Sequence, residues 1–271
     1  MPRDALLPVA GPSPSLRPSP QRIETLRAYL RQVERSTLPE GKIATASFGI
    51  SEIDDYLPAG GLVRGALHEL MAQSPGDAGA VTDFCAAALT RLLKDHEKPV
   101  LWCLQTRASD AGDLYPPGLA LLGLEPDRLL VVRTRHDADT LWVLEEGLRC
   151  GALTAVVGEI KTADLTASRR LQLAAETSGC TALLLRPSSD TPEPSAAATR
   201  WRIKAVPSQP CGWAAELDEP GPVCWQASLF RCRGGAPGSW LMEWRDETSD
   251  FALAAPLRDR SGEPCDTRLA G

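Results

Sequence analysis

The residues best placed to do chemistry lie in Ala72-Gln73-Ser74-Pro75-Gly76-Asp77-Ala78-Gly79-Ala80-Val81-Thr82. This segment joins a strand-like run to a helix-like one, where an α/β sheet carries a phosphate-binding loop. Such a loop needs glycines that turn backbone N–H groups toward phosphate, a Lys for the β- and γ-phosphates, and a hydroxyl for magnesium. Gly76 and Gly79 supply part of the glycine pattern, but Ala80 stands where the Lys belongs and Val81 where the hydroxyl belongs. Asp77 adds a negative charge and Pro75 removes a donor. The expectation is a degenerate loop that keeps the shape and lacks the chemistry, with no catalytic residue, no cofactor and no metal.

Other constellations add little. Glu159 follows the apolar run Ala155-Val156-Val157-Gly158, one residue late for a magnesium-shell acid; a solvated or helix-capping carboxylate is the plainer reading. His68, His96 and His136 are far apart, His68 inside a strand and the others at element ends. The eight cysteines include no Cys-x-x-Cys pair and suit reduced core thiols; a zinc site from Cys211, Cys224 and Cys232 lacks the pairwise spacing.

Two further groups are candidate contacts. Arg200, Arg202 and Lys204 alternate along one extended run, and Arg231 and Arg233 along a later one. If those strands are neighbours, five cations converge on a patch for single-stranded DNA; the alternative is a set of ion pairs with the core. Trp240, Met242 and Trp244 share one face of a third run, facing a protein partner or packed in the sheet.

These side chains need elements to hold them. Short, nearly all-apolar strands alternate with helical segments from about 47 to 186, the pattern of a mostly parallel sheet covered by helices on both faces. Strands are expected near 65–71, 99–104, 128–133, 153–157 and 181–185, with helices over 81–96, 137–150 and 165–178. Beyond Thr199 the runs alternate, and Gly234-Gly235-Ala236-Pro237-Gly238 separates two of them as a hairpin. The organisation expected is a mobile Pro-rich segment with one helix over 1–40, a core over 41–198, a β-rich Trp-containing extension over 199–245, and a loose acidic tail over 246–271. The chain has 271 residues and a net charge of −6, which argues against coating nucleic acid. It has no apolar run of the ~18 residues that span a bilayer. The opening residues lack the apolar stretch of a signal peptide, so a cytoplasmic protein without a membrane partner is expected.

Phe48-Gly49-Ile50 to Asp54, followed by Ala59-Gly60-Gly61-Leu62 through Glu69-Leu70, resembles the approach to the ATP-binding loop of RecA recombinase. The chain is similar to the ImuA family in particular. The similarity runs through Gly61-Leu62 to Leu70, Ala155 to Glu159 and Leu183-Leu184-Leu185-Arg186-Pro187, then Ala198-Thr199-Arg200-Trp201-Arg202-Ile203, Leu229 to Gly234 and Trp240 to Trp244. The resemblance implies a RecA-like core without catalysis, acting in SOS translesion mutagenesis. Its implied partners are a polymerase-like mutasome subunit, an error-prone C-family polymerase and RecA itself. A SulA-like inhibitor of cell division is the alternative, although such chains are shorter and lack the Trp-rich extension after residue 199. A working ATPase with an unusual loop is a third.

Overall fold

The apolar runs become strands of one mixed sheet, and the amphipathic segments between them become its covering helices. The computed structural model describes residues 44–254, apart from 95, 107–111, 209, 211–216, 218 and 219, and before residue 44 only Gln21 and Thr25. Both of these are helical; the rest of the helix expected near 20–36 lies outside the described residues.

In chain order the elements are β1 (Thr45–Ala46), α1 (Ser51–Asp54), β2 (Leu62–Val63), β3 (Leu67–Ala72), α2 (Ala78–Leu93), β4 (Val100–Gln105), α3 (Pro116–Leu121), β5 (Leu129–Thr134), α4 (Asp137–Arg149), β6 (Ala155–Glu159), α5 (Leu165–Ser178), β7 (Thr181–Arg186), β8 (Thr199–Ala205), β9 (Cys224–Cys232), β10 (Gly238–Arg245) and β11 (Asp250–Leu253). β1 and β2 form a small ribbon, and the other nine strands form one sheet in the order β11-β10-β9-β8-β3-β7-β6-β4-β5. From β8 to β5 neighbouring strands run parallel; from β8 to β11 they run antiparallel. This is the expected α/β RecA-like architecture with a C-terminal hairpin.

Each face of the sheet has its own core. The Ala-rich α2 lays Val81, Phe84, Ala88, Leu89 and Leu92 on one face, among Leu70, Leu185, Trp201 and Trp225. On the other, α4 and α5 cover Leu67, Val156, Ala182 and Leu184. α5 is bounded locally: Asp164 accepts a hydrogen bond from the Ala167 N–H (2.7 Å), and Gly179, at φ 75°, ends it in the left-handed region open to glycine.

Three expectations for the C-terminal third are corrected. β8 does not open a separate extension at 199; it lies inside the sheet, hydrogen-bonded to β3 on one side and β9 on the other. Trp240, Met242 and Trp244 do share a face, but that face is the core. Met242 and Trp244 are fully buried, and Trp240 stacks edge-on against Tyr56 at 5.0 Å. The physical reason is that α2 covers this side of the antiparallel strands, where eight aromatic rings from Phe48 to Phe251 pack together among the described residues. Finally, the segment expected as a loose tail from 246 contains β11, whose Phe251 is 5% exposed within that cluster. Residues 255–271 of that segment lie outside the described residues.

Candidate functional site

The β3–α2 turn does not keep a phosphate cradle. A single 3-10 turn, Pro75–Asp77, leads directly into α2. Gly76 and Gly79 do not adopt positive φ, and a Cβ at Gly79 would meet nothing within 4 Å, so neither position requires glycine. Ala80 and Val81 lie on the buried side of α2, 9% and 3% exposed. The turn is closed by its own acid. Asp77 accepts hydrogen bonds from the Ser74 N–H (2.9 Å), the Ser74 hydroxyl (2.6 Å) and the Ala205 N–H of β8 (2.9 Å). Burial alone would raise the Asp77 pKa, but these bonds outweigh it and hold the carboxyl below the usual carboxylate range. The positive end of the α2 dipole thus already has an internal anion.

Beside this turn lies a cleft of about 500 Å³ at the carboxyl ends of β3, β4, β6 and β7. Its apolar surface comes from Leu104 and Leu185 on the sheet, Val81 on α2, and Leu114 and Leu119 around α3. Glu159 at the end of β6 and Asp83 on α2 also line it, and burial pushes both carboxyl groups above their ordinary pKa. Glu159 is half-buried at the end of β6, and the following helix is capped by Asp164, so Glu159 is not the helix cap that the sequence also allowed. Lys161 stands at the exposed rim. The loop that carries it is fixed by Asp137, which accepts from the Lys161 and Thr162 N–H groups (3.0 and 2.9 Å) and from the Gln105 side chain.

His68 is structural. Its Nε2 faces the Val63 carbonyl at 2.9 Å and must donate, which leaves Nδ1 to accept from the Thr199 hydroxyl at 2.7 Å. Thr199 in turn accepts from the Trp201 indole N–H (2.9 Å). Burial lowers the His68 pKa to about 4, so the ring is neutral at physiological pH. Cys224 and Cys232 sit at opposite ends of β9, about 26 Å apart at ~3.3 Å per residue, and cannot share one metal. Cys211 lies outside the described residues.

The five cations do not converge as expected, although β8 and β9 are neighbours. Arg200 is 4% exposed, and its Nε is 2.7 Å from Glu69 Oε2 on β3. Glu69, fully buried, also accepts from the Ser195 hydroxyl (2.5 Å) and lies 3.8 Å from Arg186 Nη1. Arg233 lies 3.7 Å from Glu176 of α5. Arg202 is half-buried, donating to the Ser189 carbonyl, while Lys204 and Arg231 are exposed. A bulge opposite the Arg200–Trp201 step leaves Phe230 as the extra residue, and the Arg200 and Arg202 guanidiniums sit 5.3 and 5.2 Å from its ring centroid.

No family model matches the chain. It is similar over 226 residues to Protein ImuA of two Caulobacter vibrioides strains, NA1000 / CB15N and ATCC 19089 / CIP 103742 / CB 15, at 39% identity in each case. The match covers 79% of this chain and 90% of each relative. The chain belongs to the ImuA family. In this ImuA-family chain the altered loop residues are accounted for by packing and by Asp77, whereas sequence reasoning missed two features. One is the Glu69–Arg200–Arg186 cluster, whose signal was a carboxylate inside the apolar strand Leu67–Ala72. The other is that Asp83 and Glu159 line one cleft, which carried no signal because the two are joined only by the fold. Among the described residues no helix is long and apolar enough to cross a membrane.

Proposed function

We propose that this ImuA-family chain is a non-catalytic adaptor in SOS damage-induced translesion mutagenesis, a cytoplasmic protein with a pseudo-ATPase core. It binds a polymerase-like mutasome subunit and an error-prone C-family polymerase, with RecA as a further partner. The observation that carries the reading is the β3–α2 turn of an ImuA-family core: Asp77 fills it, and positions 80 and 81 point into the core. A protein built this way contributes surfaces rather than phosphoryl transfer. The test is affinity capture of the full chain from DNA-damaged cells. Recovery of the polymerase subunits is expected; recovery of a cell-division protein in their place would overturn the reading in favour of the SulA-like one.

A weak contact with single-stranded DNA is part of the proposal, resting on Arg202 beside Phe230 and on the exposed Lys204 and Arg231 of the same two strands. Arg200 and Arg233 are left out because Glu69 and Glu176 hold them. Fluorescence anisotropy with oligo-dT is expected to give an affinity that falls with salt, log K dropping by about 2 per decade if three cations each meet a phosphate. Arg202→Ala with Lys204→Ala should remove most of that binding. Salt-independent binding, or binding that survives the double substitution, would eliminate the patch.

A further inference from the structure

We propose that the cleft at the carboxyl ends of β3, β4, β6 and β7 binds a guanidinium group carried on an aliphatic stem, that is, an arginine side chain presented by a protein partner, and not a nucleotide. The proposal goes beyond the adaptor reading and does not depend on which partner that is.

The cleft is large enough for such a group, since pockets of ~300–1,000 Å³ hold small ligands, and it measures about 500 Å³. Its walls divide by chemistry. Leu104, Leu185, Leu114 and Leu119 form an apolar sleeve that suits methylenes. Asp83 on α2 and Glu159 on β6 both line it. Among the described residues neither has a Lys, Arg or His nitrogen within 4.0 Å, whereas the third acid lining the cleft, Asp113, is paired with Arg133 at 2.6 Å. Arg186, which also borders the cleft, is drawn away by Glu69 and Glu193, and Lys161 is exposed at the rim. Two half-buried carboxylates without a cation cost free energy that an incoming cation would recover. A guanidinium presents five N–H donors in one plane to carboxylate oxygens, and it is more weakly hydrated than an ammonium. A triphosphate meets the opposite conditions. Asp77 already places a carboxylate at the start of α2, and the two carboxylates without a cation repel phosphate.

The test uses the full chain and four probes: n-butylguanidinium, its neutral isostere n-butylurea, magnesium alone, and magnesium-ATP. Saturable amide shifts around Leu104, Asp83 and Glu159 are expected at millimolar n-butylguanidinium, with at least tenfold weaker binding of n-butylurea. Asp83→Asn with Glu159→Gln should abolish the difference between the two while leaving the melting temperature unchanged or higher, because both substitutions remove a desolvated charge. Equal binding of the two isosteres would overturn the proposal, as would no saturable binding of n-butylguanidinium up to tens of millimolar. Displacement by magnesium alone would reassign the carboxylates to a metal, and displacement by magnesium-ATP would return the cleft to nucleotide.

Discussion

Phe251→Ala is expected to lower the melting temperature by about 10 °C. The ring is 5% exposed and lies 5.2 Å from both Phe48 and Trp244, 5.5 Å from Phe84 and 5.9 Å from Trp225. Removing a buried phenylalanine ring costs roughly 3–5 kcal/mol, part transfer and part cavity. In a domain of this size each kcal/mol moves the transition by roughly 2–4 °C. Ending the chain at Arg245 costs more, because it also removes the β11 ladder and the Asp250 partner of Arg91. Ending it after Ala254 keeps all of these contacts and should melt near the full-length value. Circular dichroism melts of the three variants are the measurement. A truncation at 245 that melts like the full chain would show that β11 does not hold the aromatic cluster together. The same series decides where partners bind. Association lost on truncation after 254 with an intact melt assigns it to residues 255–271, whereas loss only at 245 reflects unfolding.

Glu69→Gln is expected to destabilise by roughly 3–5 kcal/mol, the cost of removing one member of a buried ion pair and leaving the other charged. Arg200 is 4% exposed, and its Nη2, like Nε and Nη1 of Arg186, is a buried donor with no hydrogen-bond acceptor among the described residues. Without Glu69, Arg186 keeps Glu193, which is 48% exposed, and the Lys161 carbonyl, while Arg200 keeps the Phe230 ring but no carboxylate among the described residues. Arg200→Met is expected to cost less, because the Glu69 carboxylate keeps the Ser195 hydroxyl and Arg186 at 3.8 Å. The double variant Glu69→Leu with Arg200→Met should cost less than the sum, because neither member of this pair then faces the other's absence. Urea unfolding of the single and double variants measures the coupling. Additive effects, or a Glu69→Gln loss below 1 kcal/mol, would show that the pair does not act as a unit. The cycle also bears on nucleic acid. If Arg200 served only a DNA strand, its removal would leave stability untouched.

The sequence by itself determined the alternation of strands and helices, because period-2 and period-3.6 apolar patterns are local properties. It also put Ala80 and Val81 after Gly79, at the places where a phosphate-binding loop would carry a lysine and a hydroxyl. Family membership was legible in the motifs around Glu69, Trp201 and Gly234. Tertiary structure alone decided how the alternating faces were used. Arg200, Arg202 and Lys204 do lie on the face opposite Trp201 and Ile203, as their spacing required. But which of the cations stayed free depended on what β3 placed beside them: Glu69, 131 residues away in sequence, captured Arg200. The Trp240–Met242–Trp244 face was equally silent about its destination. A one-sided apolar strand looks the same whether a partner or its own helix covers it, and here α2 came back over the antiparallel strands. The cleft likewise exists only because β3, β4, β6 and β7, scattered over 120 residues, end side by side. That juxtaposition follows from strand order, which no local pattern encodes.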